Sequence, residues 1–343
     1  MRPILIALTI ASALAVTGGL FIMLNPKTEN SSRFLKSLLI EDAWTAWTAW
    51  KMQNGRSYGT NSEETYRFAI FTQNYQLVQN FDGKSHTFTI GLNQFADLTF
   101  AEFEKIYLGS RMPIAQNHVK HSSLSITPDS VDWRGIAVTD VKNQGHCGSC
   151  WAFSATGGSE GAYAIKNKQI KSFSEQQLVD CAIGDYNNAG CNGGHMDEAF
   201  KYIRDHGIAE ESDYGYTGKA YEMCRAPTLK MAFKISGYYD VPKADNSELM
   251  KAIAVQPISV GLHVDYNFQL YKGGIYDNWD CLQFQNHGVL AVGYGTDEDN
   301  GDFYLLKNSW GATWGEDGYI RLARKDSGVG MCGVTEYASY PVA

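Results

Sequence analysis

All seven cysteines of this 343-residue chain follow residue 146, at positions 147, 150, 181, 191, 224, 281 and 332. An odd number of cysteines in an exported protein indicates three disulfides and one remaining thiol. Three bridges cannot replace a hydrophobic core in a chain of this length. We therefore expect a globular domain that disulfides reinforce, with a cysteine-free region in front of it.

The N-terminus has the features of an export signal. Arg2 precedes a long uncharged stretch, and Ala13–Ala15 has the small-residue spacing of a cleavage site. Apolar residues continue to position 24, so the segment is also long enough to cross a bilayer. Because Gly18–Gly19 interrupts the apolar run, we expect residues 1–24 to be a cleaved signal peptide. An uncleaved signal anchor is the alternative, and only then would the chain be attached to a membrane.

Charge is unevenly divided along the chain. The first 125 residues hold 11 basic and 9 acidic side chains, whereas the rest hold 18 basic and 28 acidic. The net charge of −8 argues against a nucleic-acid partner, because phosphate binding requires clustered Lys and Arg. Two interpretations of the asymmetry stay open: the two parts dock electrostatically, or the charges only solvate the surface.

The cysteine-free region predicts a small helical unit. Trp44, Trp47 and Trp50 are three residues apart, which is typical of a helix whose tryptophans face a core. A second helical pattern covers residues 62–82, and one stripe of it consists of Glu63, Arg67, Phe71, Asn74, Val78 and Asp82. The first two members of this stripe have the i,i+4 spacing of an ion pair. An ordinary amphipathic helix would show the same periodicity.

Two further segments complete this region. Residues 87–90 alternate like a short strand and lead into the polar segment 91–97. Residues 109–129 are polar and contain Gly, Pro and Ser. They are typical of an exposed linker, where proteolytic nicks concentrate.

The remainder of the chain changes from helical to strand patterns. Residues 150–208 predict mainly helices, with a capping box at Ser174 and Gln177 and a helix that ends before Gly207. Further strands are predicted at 233–241, 258–264, 288–294, 303–307 and 319–323, with one helix at 247–255. This order predicts an α+β protein whose two lobes meet at a cleft, a favoured position for catalysis.

Cys147 and Cys150 form a Cys-x-x-Cys motif with three interpretations. A zinc site requires a second ligand pair at similar spacing, and none follows. A redox pair of the thioredoxin type requires a βαβ context, which the helical run after the motif does not supply. The third interpretation is a bridged Cys147 and a nucleophilic Cys150. It is favoured because residues 151–155 predict the first turn of a helix, whose N-terminal dipole lowers a thiol pKa.

His287 is the candidate base for this nucleophile. It precedes the apolar strand 289–292, which places its imidazole at a strand start, facing the cleft. A single histidine is more often structural. Asn308 adds weight, because an Asn amide oxygen can accept the imidazole N–H and fix its tautomer, while Trp310 excludes water from that bond.

These motifs resemble those of the papain-like cysteine peptidases, and in particular the cathepsin L-like subfamily. His287 lies 137 positions after Cys150, within the family's usual spacing, and Asn308 lies 158 positions after it, slightly beyond. The stripe from Glu63 to Asp82 matches the interrupted helix motif of cathepsin L-like propeptides, with two substitutions at its end. Gly91, Asn93, Phe95 and Asp97 match their second propeptide motif. The resemblance covers nearly the whole chain after the signal.

The resemblance implies a papain-like two-lobe fold of the α+β class, with a helical lobe, an antiparallel β-barrel-like lobe and a cleft between them. It divides the chain into a signal segment at 1–24, a small helical inhibitory propeptide at 25–125 and a mature peptidase domain at 126–343. The propeptide should block the cleft until it is cut between Ser122 and Asp129. Asp97 is the candidate acid trigger for its release.

The resemblance also implies an endopeptidase that requires no metal or organic cofactor. Cys150 would attack the peptide carbonyl, and His287, oriented by Asn308, would act as base and acid. The side chain of Gln144 would hold the oxyanion with the Cys150 amide, and Trp310 would line the leaving-group side. The sequence has no insertion that resembles the occluding loop of dipeptide-releasing relatives.

Substrate contacts and disulfides are implied by the same resemblance. Gly193 and Gly194 match a glycine wall that binds extended substrates. The pocket for the second residue before the scissile bond would have Tyr337 as its floor, surrounded by His195, Met196, Gly261, Gln285 and Gly288. Asn286 is a further expected substrate contact. Since relatives often have aliphatic residues at 261 and 285, we expect poorer acceptance of Phe than of smaller or hydrogen-bonding side chains. The bridges would be Cys147–Cys191, Cys181–Cys224 and Cys281–Cys332.

The expected partners are protein or peptide substrates, the chain's own propeptide and protein inhibitors, and we expect a monomer. The expected location is the secretory pathway, ending in a lysosome or acidic digestive vacuole, with secretion as the alternative. Two other functional classes were weighed. A catalytically silent binding or inhibitory relative usually lacks the nucleophile, whereas Cys150 is present. A cysteine acyltransferase would share the thiol and imidazole, but the propeptide motifs argue against it.

Overall fold

The computed structural model describes residues 26–109, 118–122, 124–220, 223–325 and 328–343, so the expected signal segment lies outside the described residues. The α-helices are α1 (Pro26–Gln53), α2 (Asn61–Asn80), α3 (Phe100–Tyr107), α4 (Cys150–Asn167), α5 (Glu175–Cys181), α6 (Met196–His206), α7 (Asn246–Val255) and α8 (Tyr266–Gln269). The strands are β1 (Phe88–Ile90), β2 (Val131–Asp132), β3 (Gly237–Asp240), β4 (Ile258–Leu262), β5 (Tyr271–Tyr276), β6 (His287–Asp297), β7 (Gly301–Lys307), β8 (Tyr319–Ala323) and β9 (Tyr337–Val342).

The helical lobe contains α4, α5 and α6 around a core of its own, in which Trp151 and Phe200 are fully buried. Helix α6 ends at Gly207, whose φ of +80° suits glycine, as the periodicity predicted. At the start of α5, Ser174 Oγ accepts the Gln177 N–H at 2.9 Å. The Gln177 side chain bonds across the lobe instead of returning to Ser174, so half of the predicted capping box forms.

The β lobe is built on one open, mixed sheet. Its strand order is β1-β5-β8-β7-β6-β4-β9-β3, with β2 paired to β6. The two-lobe α+β organisation is therefore confirmed, but the expected antiparallel barrel-like lobe is corrected in two respects. Strands β5 and β8 are parallel, and the described sheet has β1 and β3 at its two ends and does not close. Strands β5 and β9 were not predicted, because Gly273-Gly274 and Pro341 interrupt their patterns.

Three disulfides reinforce the two lobes. They are Cys147–Cys191 and Cys181–Cys224 in the helical lobe and Cys281–Cys332 in the β lobe. This pairing is the one that the family resemblance implied. Cys150 lies outside the disulfides and stays a thiol.

The propeptide has a small aromatic core between α1 and α2. Trp47 and Trp50 are buried, and their rings lie 5.1 and 5.3 Å from the ring of Phe71. Trp44 is 52% exposed, so the prediction of three core tryptophans is wrong for this residue. Positions six apart on a helix differ by about 120°, which prevents Trp44 and Trp50 from facing the same narrow core.

The polar residues of the α2 stripe bind the segment that follows β1. Arg67 Nη1 bonds the carboxylate of Glu102 at 3.0 Å, so the predicted partner, Glu63, is replaced by a tertiary one. The buried amide of Asn74 donates to the carbonyl oxygens of Ala96 and Leu98 at 2.8 and 3.2 Å. These bonds fix the turn that leads into α3.

The propeptide is attached at both ends of the β-lobe sheet. Strand β1 pairs antiparallel with β5 at one end. At the other end, Val119 forms a parallel bridge with Asp240 of β3, and the Ser122 N–H donates to Glu248 Oε2 at 2.7 Å. Part of the expected exposed linker is therefore docked on the sheet.

Within the described ranges, none of the helices is both long enough and apolar enough to span a membrane.

Helix α4 lies against the sheet where the two lobes meet. A Cβ on Gly157 would lie 2.9 Å from Leu290 Cδ2, so the absence of a side chain at this position lets the helix pack directly against the leucine. Ser154 Oγ donates to the Val289 carbonyl at 2.7 Å, and Ser259 Oγ donates to the Ser154 carbonyl at 2.7 Å. These contacts hold the first turns of α4 beside the start of β6.

Candidate active site

Cys150 is the first residue of α4 and its side chain is fully buried. Ser149 is the N-cap, and its side chain makes no capping bond to the helix. The first amide groups of a helix have no partner inside the helix, and the positive end of the dipole lies beside them. The position therefore favours a thiolate over a neutral thiol.

His287 begins β6, and its ring is oriented by two neighbours. Its Nε2 hydrogen bonds with Asn308 Oδ1 at 2.8 Å, which assigns the proton to Nε2. The Trp310 ring lies 4.7 Å from the imidazole and covers the bond to Asn308. Among the described residues, His287 Nδ1 has no hydrogen-bond partner. That nitrogen is left to accept a proton.

The start of β6 lies directly against the nucleophile. A Cβ built on Gly288 would lie 3.4 Å from the Cys150 carbonyl oxygen and 3.5 Å from Trp151 Cα. Burial lowers the pKa of His287 to about 4, and the bond from Asn308 opposes this shift only in part. In the closed precursor the imidazole is therefore neutral at neutral pH.

Gln144 presents its amide to a carbonyl oxygen of the propeptide. Its Nε2 donates to the carbonyl oxygens of Tyr107 and Cys147, each at 2.8 Å. Ser309 Oγ donates to Gln144 Oε1 at 2.7 Å, which fixes which end of the amide donates. A main-chain oxygen of the propeptide thus occupies the donor that the resemblance assigns to the oxyanion.

The next residues of the propeptide lie on the glycine wall. The Gly194 N–H donates to the Gly109 carbonyl at 2.8 Å, as in the pairing of two strands. A Cβ on Gly193 would lie 2.5 Å from the Gly109 oxygen, and a Cβ on Gly109 would lie 1.9 Å from the Gly148 oxygen. The two backbones approach so closely that only glycine fits on either side.

The residues expected to form the specificity pocket gather on one face of the sheet. Gly261 pairs with both Tyr337 and Gly288, so the three share that face. The Gln285 side chain lies over Gly261, since a Cβ there would be 2.2 Å from Gln285 Cδ. Met196 Sδ would lie 3.2 Å from a Cβ on Gly288.

The remaining expected substrate contacts are arranged differently. His195 is the N-cap of α6, and its N–H donates to Asn188 Oδ1 at 2.7 Å. The Asn286 side chain bonds the N–H and carbonyl of Val264 at 2.7 and 3.0 Å. These bonds hold the chain after β4, and the expected contact of Asn286 with substrate stays a prediction.

Several residues of the site were not identified from the sequence. Half-buried Lys142 donates to Glu160 Oε1 at 2.8 Å and to Glu175 Oε1 at 2.6 Å, and so anchors the segment that leads to Gln144. These three residues are far apart in the sequence and follow no local pattern. The sequence offered one signal for the role of Ser309, namely that it directly follows Asn308.

Two family models match this chain. Residues 127–342 match the papain family cysteine proteases, and residues 47–103 match the cathepsin propeptide inhibitor domain. The chain therefore belongs to the papain family of cysteine proteases.

Its relatives narrow the class further. A cathepsin L-like protein of Caenorhabditis elegans is 45% identical, over 88% of this chain and 93% of its own length. Cathepsin L of Sarcophaga peregrina is 41% identical over the same shares. The structure of digestive procathepsin L 3 of Tenebrio molitor superposes with a TM-score of 0.80 at 38% identity, covering 88% of this chain and 99% of that one. The stem bromelain precursor gives 0.81 at 38% identity, with the same coverage.

The chain is thus a cathepsin L-like cysteine peptidase with an inhibitory propeptide, that is, a zymogen. The contacts at Gln144 and Gly194 give the physical basis of the inhibition, because the propeptide backbone takes up hydrogen-bond donors of the cleft.

Gly109→Ala should weaken the inhibition. The added methyl group would meet the Gly148 oxygen, and overpacking of a close contact typically costs about 1–3 kcal/mol, or about fivefold to 150-fold in affinity. We expect faster alkylation of Cys150 by iodoacetamide in the intact precursor at neutral pH. Gly83→Ala is the matched control, because no atom lies within 4 Å of a Cβ there. Equal alkylation rates in the two variants would contradict the prediction.

Proposed function

We propose that the mature chain is an endopeptidase that cleaves proteins through a thioester acyl-enzyme. The Cys150 thiolate attacks the peptide carbonyl carbon, and the Cys150 N–H and Gln144 Nε2 stabilise the oxyanion. His287, protonated once the cleft is open, gives its proton to the departing amine. It then takes a proton from water, which attacks the thioester and releases the acid and the thiolate.

One observation carries this proposal, namely the orientation of His287 beside Cys150. The imidazole is held by Asn308 through Nε2, and Nδ1 has no hydrogen-bond partner among the described residues. The adjoining Gly288 lies against the backbone of Cys150. Such a histidine is oriented to exchange a proton with a thiol on the helix N-terminus. A structural histidine would be expected to use both ring nitrogens.

Residue 150 provides the direct test. The wild-type precursor, processed at acid pH with reductant, should hydrolyse peptides, and Cys150→Ala should abolish this activity. Cys150 should also react with iodoacetamide faster than an ordinary thiol near neutrality. Hydrolysis that persists in Cys150→Ala would contradict the mechanism. Peptide binding without hydrolysis would favour a catalytically silent binding or inhibitory protein. Acyl transfer to added amines without hydrolysis would favour a cysteine acyltransferase.

The chain boundaries are part of the same proposal. A signal segment at 1–24 would be followed by a propeptide at 25–125 and the mature domain at 126–343, with the cut between Ser122 and Asp129. Two anchors on the β lobe flank this segment and support a cut between them: the Ser122 N–H donates to Glu248, and the Tyr294 hydroxyl of β6 donates to the Pro128 carbonyl at 3.0 Å. The disulfides support a route through the secretory pathway. We propose a lysosome or acidic digestive vacuole as the destination, with secretion as the alternative.

Acid activation follows from two groups. Asp97 is 3% exposed, accepts a bond from the Tyr58 hydroxyl at 2.8 Å and lies 3.8 Å from Arg56 Nε. Its protonation would remove this charge pairing inside the propeptide. The pKa of His287 is about 4 when the cleft is closed, whereas an exposed histidine titrates near 6.5. Between these values the closed form binds fewer protons than the open form, so falling pH favours opening.

Asp97→Asn removes the carboxylate charge that the Tyr58 hydroxyl and Arg56 contact inside the propeptide. Because this pairing is then lost at every pH, we expect precursor processing to begin at a higher pH than in the wild type. Processing is followed by gel electrophoresis between pH 4 and 7. Asp42→Asn, at an exposed position of α1, is the matched control. An unchanged pH profile for Asp97→Asn would remove Asp97 from the mechanism.

The specificity pocket is proposed to prefer small or hydrogen-bonding side chains over Phe at the second position before the scissile bond. Two features support this: the Gln285 amide covers Gly261, and the Tyr337 hydroxyl at the pocket floor accepts a bond from Lys243 Nζ at 3.1 Å. Both make the pocket shallower and more polar than an aliphatic lining would.

A peptide library tests this preference. Tyr337→Ala should raise kcat/KM for Phe at this position relative to Thr or Val, by about tenfold, because the phenol no longer fills the floor. Tyr340→Ala is the matched control, since residue 340 points to the opposite face of β9. A wild-type preference for bulky aromatic residues would contradict the proposed pocket.

A further inference from the structure

We propose that Tyr216 is a positioning residue for the oxyanion-binding side of the site, acting through Gln144 and Ser149. Tyr216 lies in the helical lobe, on the loop between α6 and β3. Its hydroxyl bonds the two ends of the segment that precedes the nucleophile. The inference rests on the proposed function.

The Tyr216 hydroxyl bonds two groups at once. It donates to the Gln144 carbonyl oxygen at 2.7 Å. Its oxygen lies 2.6 Å from Ser149 Oγ. A phenol has one hydrogen, so when that hydrogen goes to Gln144, the serine hydroxyl must donate to the phenol. The result is a directed chain of hydrogen bonds from Ser149 through Tyr216 to Gln144.

These two partners carry or adjoin the two proposed oxyanion donors. Gln144 supplies its side-chain amide, and Ser149 immediately precedes the Cys150 N–H. The Ser149 carbonyl also accepts the Ala152 N–H at 2.8 Å, which fixes the first turn of α4. By joining residues 144 and 149, Tyr216 sets the distance between the two donors. Oxyanion stabilisation depends on such fixed geometry, because donors that move lose most of their effect.

Tyr216 is itself held from two sides. Its ring meets the Phe153 ring edge-to-face, with centroids 4.8 Å apart. Its backbone N–H donates to Glu211 Oε1 at 2.7 Å. Burial raises the pKa of the phenol above its ordinary value, so the hydroxyl keeps its hydrogen throughout the working pH range. The hydroxyl is therefore a fixed donor.

The test compares two reactions of the same sulfur. Peptide hydrolysis develops a negative oxygen that needs the two donors. Alkylation by iodoacetamide forms a carbon–sulfur bond and releases iodide, with no negative oxygen. The full precursor of each variant is processed with pepsin, and both rates are measured. Tyr214→Phe is the matched control, because the Tyr214 hydroxyl, in the same loop, donates to Asp180 Oδ2 at 2.8 Å instead.

Tyr216→Phe should lower kcat for hydrolysis about tenfold, with little change in KM and with alkylation within about twofold of wild type. Tyr214→Phe should leave both rates near those of wild type. Unchanged hydrolysis in Tyr216→Phe would overturn the inference. A parallel loss of hydrolysis and alkylation would also overturn it, since the hydroxyl would then support the thiolate or the fold. Absence of hydrolysis in the wild type would contradict the proposed function instead.

A second variant covers the case in which Tyr216→Phe does not fold. Ser149→Ala removes the other end of the hydrogen-bond chain and keeps the phenol. It should lower kcat about threefold and retain alkylation. Where both variants fold, the double variant should lose less than the product of the two single losses, because both act through one chain. Fully additive losses in kcat for the double variant, or an unchanged kcat in Ser149→Ala, would overturn the inference.

Discussion

The close packing of α4 on the first residues of β6 is the constraint on which the site depends. Gly157 lets the helix approach Leu290, and the Ser154 hydroxyl bonds the strand backbone directly. Cys150 comes from the helical lobe and His287 from the β lobe, so their separation depends on these contacts. A side chain at Gly157 would have to displace the Leu290 side chain, and would alter this packing without touching the site.

The propeptide blocks the cleft with main-chain groups. The carbonyl oxygens of Tyr107 and Gly109 occupy the donors of Gln144 and Gly194, which are the same donors proposed for substrate. Propeptide and substrate would therefore compete for hydrogen bonds to main-chain oxygens, which depend little on the identity of the side chains. Such an inhibitor works for an enzyme of broad specificity, because it does not have to imitate any preferred side chain.

Local patterns were enough to predict some elements, and tertiary contacts decided the others. Helix α6 was predicted up to Gly207, since its apolar face and its glycine stop are both local signals. Strand β9 was missed because Pro341 and a run of mixed polarity hide it. Arg67 pairs with Glu102, which no helical periodicity indicates. Local signals favoured Cys150, His287 and Asn308, whereas the disulfide pairing and the role of Gln144 came from the family resemblance. Tyr216 gave no local signal, because its bonds form only in the folded chain.

The attachment of β1 to β5 affects the molecule after maturation. When the propeptide leaves, β5 becomes the outermost strand, with an unsatisfied row of backbone groups facing water. An exposed edge strand of this kind promotes aggregation by strand pairing. Here the strand is short, its Lys272 is exposed and Gly274 has φ of +92°, so it offers a poor template to another chain. The strand edge to which β1 is attached is therefore poorly suited to pairing with a strand of another chain.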